Sequence, residues 1–152
     1  MEALAEHLEV LAVSSVYETA AVGVVDQPAF LNLAVAARTG LGPEDLLRLV
    51  KDVERTVGRV PTYRWGPRIV DVDIVLLGDL VMDSADLVIP HREAHERAFV
   101  LVPLAEIAPD VMHPRLARTV RQLVERIDTS GVCLVGPYSS ENRSSAHGSP
   151  SM

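Results

Sequence analysis

A single cysteine, Cys133, among 152 residues leaves no partner for an internal disulfide and suits a reducing compartment. No apolar run approaches the roughly 20 residues that span a bilayer. The start does not have the form of a signal peptide, because Met1-Glu2-Ala3 lacks a basic residue and Glu6 and His7 interrupt the apolar residues after it. The expected location is therefore cytoplasmic, with no membrane partner. The serine nucleophile elbow, the Walker phosphate loop and the dinucleotide glycine fingerprint are all absent. Any use of ATP must then take another route. No internal repeat is visible. The net charge of −7 argues against non-specific nucleic-acid binding by the chain as a whole.

What is present suffices for one domain with a core, with 48% apolar and 23% charged residues. Residues 2–9 have the pattern of a helix tail, and Val10 to Tyr17 that of a valine-rich strand. Gly23, Asp26 and Pro28 mark a long loop from Thr19 to Pro28. Phe30 to Ala37 is nearly all apolar, which predicts a strand buried on both faces or central. A helix is predicted over Pro43 to Val57. Pro43 suits its first position, Glu44 and Asp45 favour the dipole of its first turn, Leu46, Leu47, Val50, Val53 and Val57 share one face, and Gly58 stops it. Asp71 to Leu77 alternates like a strand, Gly78-Asp79 turns, and Leu80 to Met82 is expected to pair back as a hairpin. A helical turn is expected over Arg92 to Arg97, and a last helix over Leu116 to Ile127. From Tyr138 onward Ser, Gly, Asn and Pro dominate, which predicts a disordered tail. This order suggests an α+β sandwich with helices on one face of a mainly antiparallel sheet.

The sharpest chemical feature is Asp71-Val72-Asp73. On a strand, residues i and i+2 share a face, so both carboxylates project together. Two like charges so close repel each other, and a divalent cation removes the repulsion. Hard oxygen ligands suit Mg²⁺, which completes its shell with water and substrate phosphates. Two aspartates on a solvent-facing strand is the simpler alternative. The context favours the metal, because Arg59, Arg64 and Arg68 lie just upstream in a stretch without acids. Carboxylates beside arginines are what phosphoryl transfer needs. On charge alone, a solvated loop is the favoured reading of that stretch. Trp65, between Arg64 and Gly66-Pro67, either stacks on a flat heterocycle as part of a lid or anchors the loop on the core. His91 can donate to a phosphate. His91 and His95 stand four apart, the spacing of a zinc pair on a helix, but no third His or matching Cys lies near.

These residues together form a pattern. Arg64-Trp65-Gly66-Pro67-Arg68, two residues, then Asp71-Val72-Asp73-Ile74-Val75-Leu76-Leu77-Gly78 resembles the signature of the 6-hydroxymethyl-7,8-dihydropterin pyrophosphokinases. The similarity continues through Ile89-Pro90-His91, Arg97-Ala98-Phe99-Val100-Leu101-Val102-Pro103-Leu104 and Glu106-Ile107-Ala108-Pro109. Upstream it includes Ser14-Ser15-Val16-Tyr17-Glu18-Thr19, Gly23 and Asp26-Gln27-Pro28-Ala29-Phe30-Leu31-Asn32. It covers about residues 1–127, leaving 128–137 as an extension and 138–152 as the tail.

The resemblance implies transfer of diphosphate from ATP to 6-hydroxymethyl-7,8-dihydropterin, giving AMP, in tetrahydrofolate biosynthesis. It implies that Asp71 and Asp73 hold two magnesium ions, and that Arg59 and Arg68 close the site and steady the transferred group. His91, Arg97 and, on the helix, Glu54 fall at ATP-contacting positions. Thr19, Val22, Phe30, Asn32, Trp65 and Phe99 fall in the pterin pocket, with the ring between Trp65 and Phe99 and its edge on Asn32. The implied fold is a ferredoxin-like α/β sandwich. Family members open with an apolar strand, whereas Met1 falls inside the helix after it, so the first, central strand is expected to be missing. A sheet without it would be unstable, re-pair its edges or dimerise through them, where a monomer is otherwise expected. An inactive relative that binds nucleotide or pterin weakly is the alternative. Ala20 and Ala21 stand where prolines are common, and Val60-Pro61-Thr62-Tyr63 is shorter and less basic than in some members.

Overall fold

The computed structural model describes residues 2–19, 30–58, 71–138 and 150–151. A long antiparallel hairpin forms its frame. On one arm β1 (Glu9–Val13) is followed by β2 (Val16–Thr19); on the other, β3 (Phe30–Asn32) by β4 (Val35–Arg38). β1 pairs with β4 from Glu9↔Arg38 to Val13↔Val35, and β2 with β3 from Tyr17↔Asn32 to Thr19↔Phe30. The valine-rich arms suit a pleated surface. Each arm breaks at the same level. There Ser14 N–H donates to the Ala34 carbonyl at 2.9 Å and Ser14 Oγ accepts from Ala34 N–H at 2.8 Å, so a side chain carries part of the ladder.

β9 (Val132–Gly136) pairs antiparallel with the free edge of β2, and β10 (Pro150–Ser151) runs parallel beside β3, giving the order β10-β3-β2-β9. Two small antiparallel ladders join β5 (Met82–Asp83) to β6 (Val88–Ile89) and β7 (Met112–His113) to β8 (Arg118–Thr119). The helices are α1 (Glu2–Ala5), α2 (Pro43–Gly58), α3 (Ala98–Ile107) and α4 (Val120–Val124). With its mainly antiparallel sheets, the chain has the mixed composition of the α+β class. Among the described residues no helix is long and apolar enough to cross a membrane.

Two apolar clusters hold the helices in place. In the first, Leu46, Val50 and Val53 of α2 pack with Leu4 and Val72. In the second, Leu101 of α3 packs with Val120 and Leu123 of α4, flanked by Leu76 and Leu104. α4 is only five residues long, and Thr119 starts it with a complete capping box to Gln122.

Several expectations need correction. The strand over Phe30 to Ala37 is not buried on both faces: its middle, Asn32 and Leu33, is buried, but Phe30 is 63% exposed and Ala37 is also open, because no other described residue covers the strand's ends. Asp71 to Leu77 joins no ladder among the described residues. The Leu80–Met82 hairpin with it does not form, since Met82 pairs with Ile89 instead. The Ser84–Leu87 turn closes that alternative ladder, with Ser84 N–H on the Leu87 carbonyl at 3.0 Å and Leu87 N–H on Ser84 Oγ at 3.1 Å. The last helix begins at Val120 rather than Leu116, because residues 112–119 fold into the β7–β8 hairpin, whose turn puts Ala117 at φ 53. The helical turn expected over Arg92 to Arg97 narrows to a 3₁₀ turn at Ala94–Glu96. β9 lies in a segment where the sequence pattern predicts no element. The loop after Thr19, the arginine-rich stretch and residues 139–149 lie outside the described residues.

Candidate active site

Asp71 and Asp73 flank Val72, which is 7% exposed in the α2 cluster. That burial anchors the segment and turns both neighbouring aspartates outward, where they are exposed. Both aspartates thus stand exposed on either side of a buried valine. Two carboxylates so placed are a hard-oxygen pair that fits Mg²⁺. Among the described residues no group of three or more metal-ligating side chains forms, which leaves the expected pair without a third protein ligand and gives the His91–His95 spacing no zinc site.

His91 is tied to the same segment, its N–H donating to the Val75 carbonyl at 2.9 Å. His91 Nδ1 accepts from Glu93 N–H at 3.3 Å, which leaves Nε2 to carry the proton in the neutral ring. Arg97 precedes α3, and its carbonyl opens the helix by accepting from Val100 and Leu101. Its guanidinium pairs with Glu93 and lies 5.7 Å from the centre of the Phe99 ring. On the hairpin, Asn32 is 5% exposed and its Nδ2 donates to Thr19 Oγ1 at 3.2 Å.

Asn32, Asp73, His91, Arg97 and Phe99 line one cavity of about 380 Å³, within the roughly 300–1,000 Å³ of small-molecule sites. Apart from Thr39, its other walls are mostly apolar, including Leu33 to Ala37 and the aliphatic residues of 72–77; Asp71 does not line it. The combination offers the Asp73 carboxylate, the His91 imidazole and the Arg97 guanidinium, with an aromatic ring and a buried amide in the same cavity. Thr19 reaches the cavity only through Asn32. Phe30 and Glu54 do not line it, and Glu54 lies 3.3 Å from Lys51 on its own helix. Val22, Arg59, Trp65 and Arg68 lie outside the described residues.

One polar cluster joins residues to which the resemblance gives no role. Glu106, near the end of α3, accepts from Ser15 N–H at 2.8 Å, from Ser15 Oγ at 3.3 Å and from Tyr17 OH at 2.6 Å. Burial pushes the Glu106 carboxyl up, but the bonds from Tyr17 and Ser15 outweigh it and hold the group below its usual range. Burial and the neighbouring carboxylate push the Tyr17 phenol up to about 12.

The profile of the 7,8-dihydro-6-hydroxymethylpterin-pyrophosphokinase family matches residues 1–109. A 2-amino-4-hydroxy-6-hydroxymethyldihydropteridine pyrophosphokinase of Synechocystis sp. is 42% identical over 135 residues, 89% of this chain and 69% of the relative. One from Methylorubrum extorquens is 45% identical over 125 residues, 82% of this chain and 78% of the relative. The folic acid synthesis protein fol1 of Schizosaccharomyces pombe is 38% identical over 133 residues, 88% of this chain but 18% of that longer protein.

Proposed function

The chain belongs to the 7,8-dihydro-6-hydroxymethylpterin-pyrophosphokinase family, and from that premise we propose that it transfers diphosphate from ATP to 6-hydroxymethyl-7,8-dihydropterin, a step of folate biosynthesis. The observation that carries this most directly is the single cavity on which Asn32, Asp73, His91, Arg97 and Phe99 converge. It supports a flat heterocycle and a polyphosphate held side by side.

In this assignment the pterin ring lies against Phe99, with Trp65 as the opposite wall, and Asn32 hydrogen-bonds its edge. Thr19 holds the Asn32 amide in place, while Val22 borders the ring. His91, through Nε2–H, and Arg97 bind the ATP phosphates. Asp71 and Asp73 would hold two Mg²⁺ ions. Bound there, the metal would neutralise the phosphate oxygens on both the attacking and leaving sides.

The pterin hydroxymethyl oxygen attacks the β-phosphorus of ATP, the bond from that phosphorus to the α-bridging oxygen breaks, and the hydroxyl proton is lost. AMP leaves, and the pterin carries the diphosphate. Arg59 and Arg68 steady the group in transfer, and the loop bearing them with Trp65 excludes water as a competing nucleophile. The finer fold assignment is the ferredoxin-like sheet of the family.

The test is the product formed by the chain with ATP, Mg²⁺ and 6-hydroxymethyl-7,8-dihydropterin. Pterin-dependent AMP is expected. ADP in its place would overturn diphosphate transfer, and no turnover by the folded chain would overturn the activity.

A further inference from the structure

We propose that Glu106 is a positioning residue for the pterin pocket, locking the strands that carry Thr19 and Asn32 to the helix that carries Phe99. The proposal rests on the function above for the identity of the ligand, and on the hydrogen-bond geometry for the lock itself.

At the break between β1 and β2 the ladder is incomplete. Ser14 Oγ stands in for a backbone acceptor to Ala34 and donates to the Ser15 carbonyl at 2.8 Å. The Ser15 N–H finds its acceptor in Glu106 Oε2, 91 residues away in sequence. Glu106 Oε1 takes the Tyr17 hydroxyl on the next residue of the same face. Both oxygens are engaged by donors from one strand, and hydrogen bonds to a carboxylate are shorter and stronger than neutral ones.

What that strand carries gives the lock its purpose. Tyr17 lies directly opposite Asn32 in the β2–β3 ladder, and opposed residues share a face. Thr19, two residues on, shares it too, as its bond to Asn32 shows. Tyr17, Thr19 and Asn32 therefore move as one surface. Phe99 and Glu106 both belong to α3. Seven residues separate them, about two helical turns, which brings them to the same side of the helix. Glu106 fixes the far end of α3 to the strand surface, so the near end presents Phe99 to the cavity it shares with Asn32. Loss of the lock lets the helix and strands slide, which changes the gap between ring and amide. His91 is held by Val75, outside α3, and the Arg97 N–H by the Ala94 carbonyl, although the Arg97 carbonyl also accepts from Val100 and Leu101 of α3. The effect should thus fall on the pterin more than on ATP.

Glu106→Ala, Glu106→Gln and Tyr17→Phe would be compared with the parent chain for affinity to 6-hydroxymethylpterin by calorimetry, and for KM of each substrate and kcat. Glu106→Ala is expected to weaken pterin binding and raise pterin KM roughly tenfold, with a smaller change in ATP KM, as displacement of a binding group does. Glu106→Gln, which keeps an acceptor for Ser15, should recover part of the loss. Tyr17→Phe should add nothing to Glu106→Ala. Pterin affinity within about twofold of the parent in Glu106→Ala would overturn the lock, as would equal losses for both substrates. If the parent binds pterin yet forms no AMP, the diphosphate transfer fails while the calorimetry still decides the lock. If the parent binds no pterin, both fail.

Discussion

Leu101→Ala tests whether α3 is anchored as the site requires. Leu101 is 2% exposed and packs against Val120 and Leu123, with Leu76 and Leu104 around it. Truncation removes the side chain's transfer free energy and leaves a cavity, which together cost about 2–5 kcal/mol. Full enclosure from two helices and the 71–77 segment leaves little room for collapse, which places the cost in the upper half of that range. A domain of this size loses about 2–4 °C of Tm per kcal/mol, so the melt should fall by roughly 7–20 °C. Circular dichroism melts and urea titrations measure it, with the midpoint shifted and the m-value kept. Leu134→Ala is the control, because Leu134 is 64% exposed and its loss should stay within about 0.5 kcal/mol. If Leu101→Ala moves the melt by less than about 2 °C, α3 is not part of the cooperative core. The placement of Arg97 and Phe99 at its start would then have no support.

Asp73→Ala should abolish AMP formation and leave the melt unchanged, because Asp73 is exposed; chelation of Mg²⁺ should stop the parent enzyme likewise, and AMP from the variant would sink the metal assignment. Acid should weaken the fold through His113, which is 6% exposed. Burial first, then His95 and Arg115, hold its imidazole below the ordinary 6.5, and Nδ1 accepts from Arg115 and Leu116 N–H. The unfolded chain takes up the proton at the ordinary value, and the folded chain does so only below it. The contribution is therefore complete above pH 6.5 and lost as pH falls through the folded value. A series of melts from pH 8 to pH 5 reads this out, and His113→Gln should flatten it; an unchanged slope in that variant would assign the loss to other groups.

Features whose causes are local can be read from the residues alone. α2 is legible because Pro43, Glu44, Asp45 and the spacing of Leu46, Val50 and Val53 all act within one helix. The two hairpin arms are legible from their valine and alanine runs, but not the paired breaks at Ser14 and Ala34, which depend on a side chain crossing between strands. The residue pattern misplaces the start of α4 although Thr119 and Gln122 spell a capping box, because the apolar Leu116 extends the helical pattern into what is a hairpin. For 71–77 the alternation is correct, since Val72 is buried and its neighbours are not. Whether such a segment joins a ladder depends on a partner strand, which no local pattern specifies. In the candidate site, the aspartate pair comes from strand geometry, whereas the meeting of Asn32 with Phe99 comes only from family resemblance. The residues of the Glu106 cluster fall within the resemblance, which gives them no role, and the Glu106 acceptor's donors lie 89 and 91 residues away in sequence.

The arrangement around Arg97 shows how such a site can stay both folded and ready. Its guanidinium is shared between the Glu93 carboxylate and the Phe99 ring, and the two side chains of the ion pair are 40% and 53% exposed. A pair so solvated contributes only about 0–1 kcal/mol. If Arg97 binds ATP as proposed, exchanging Glu93 for a triphosphate oxygen would cost little, while the phosphate would return a bond of the stronger charge-assisted kind. Phe99 stays in place during that exchange, because α3 begins on the Arg97 carbonyl rather than on its side chain. Phosphate capture and ring stacking can then share one residue's position without competing for it. That economy fits a reaction in which both substrates must be bound at once and nothing but the pterin oxygen may reach the β-phosphorus.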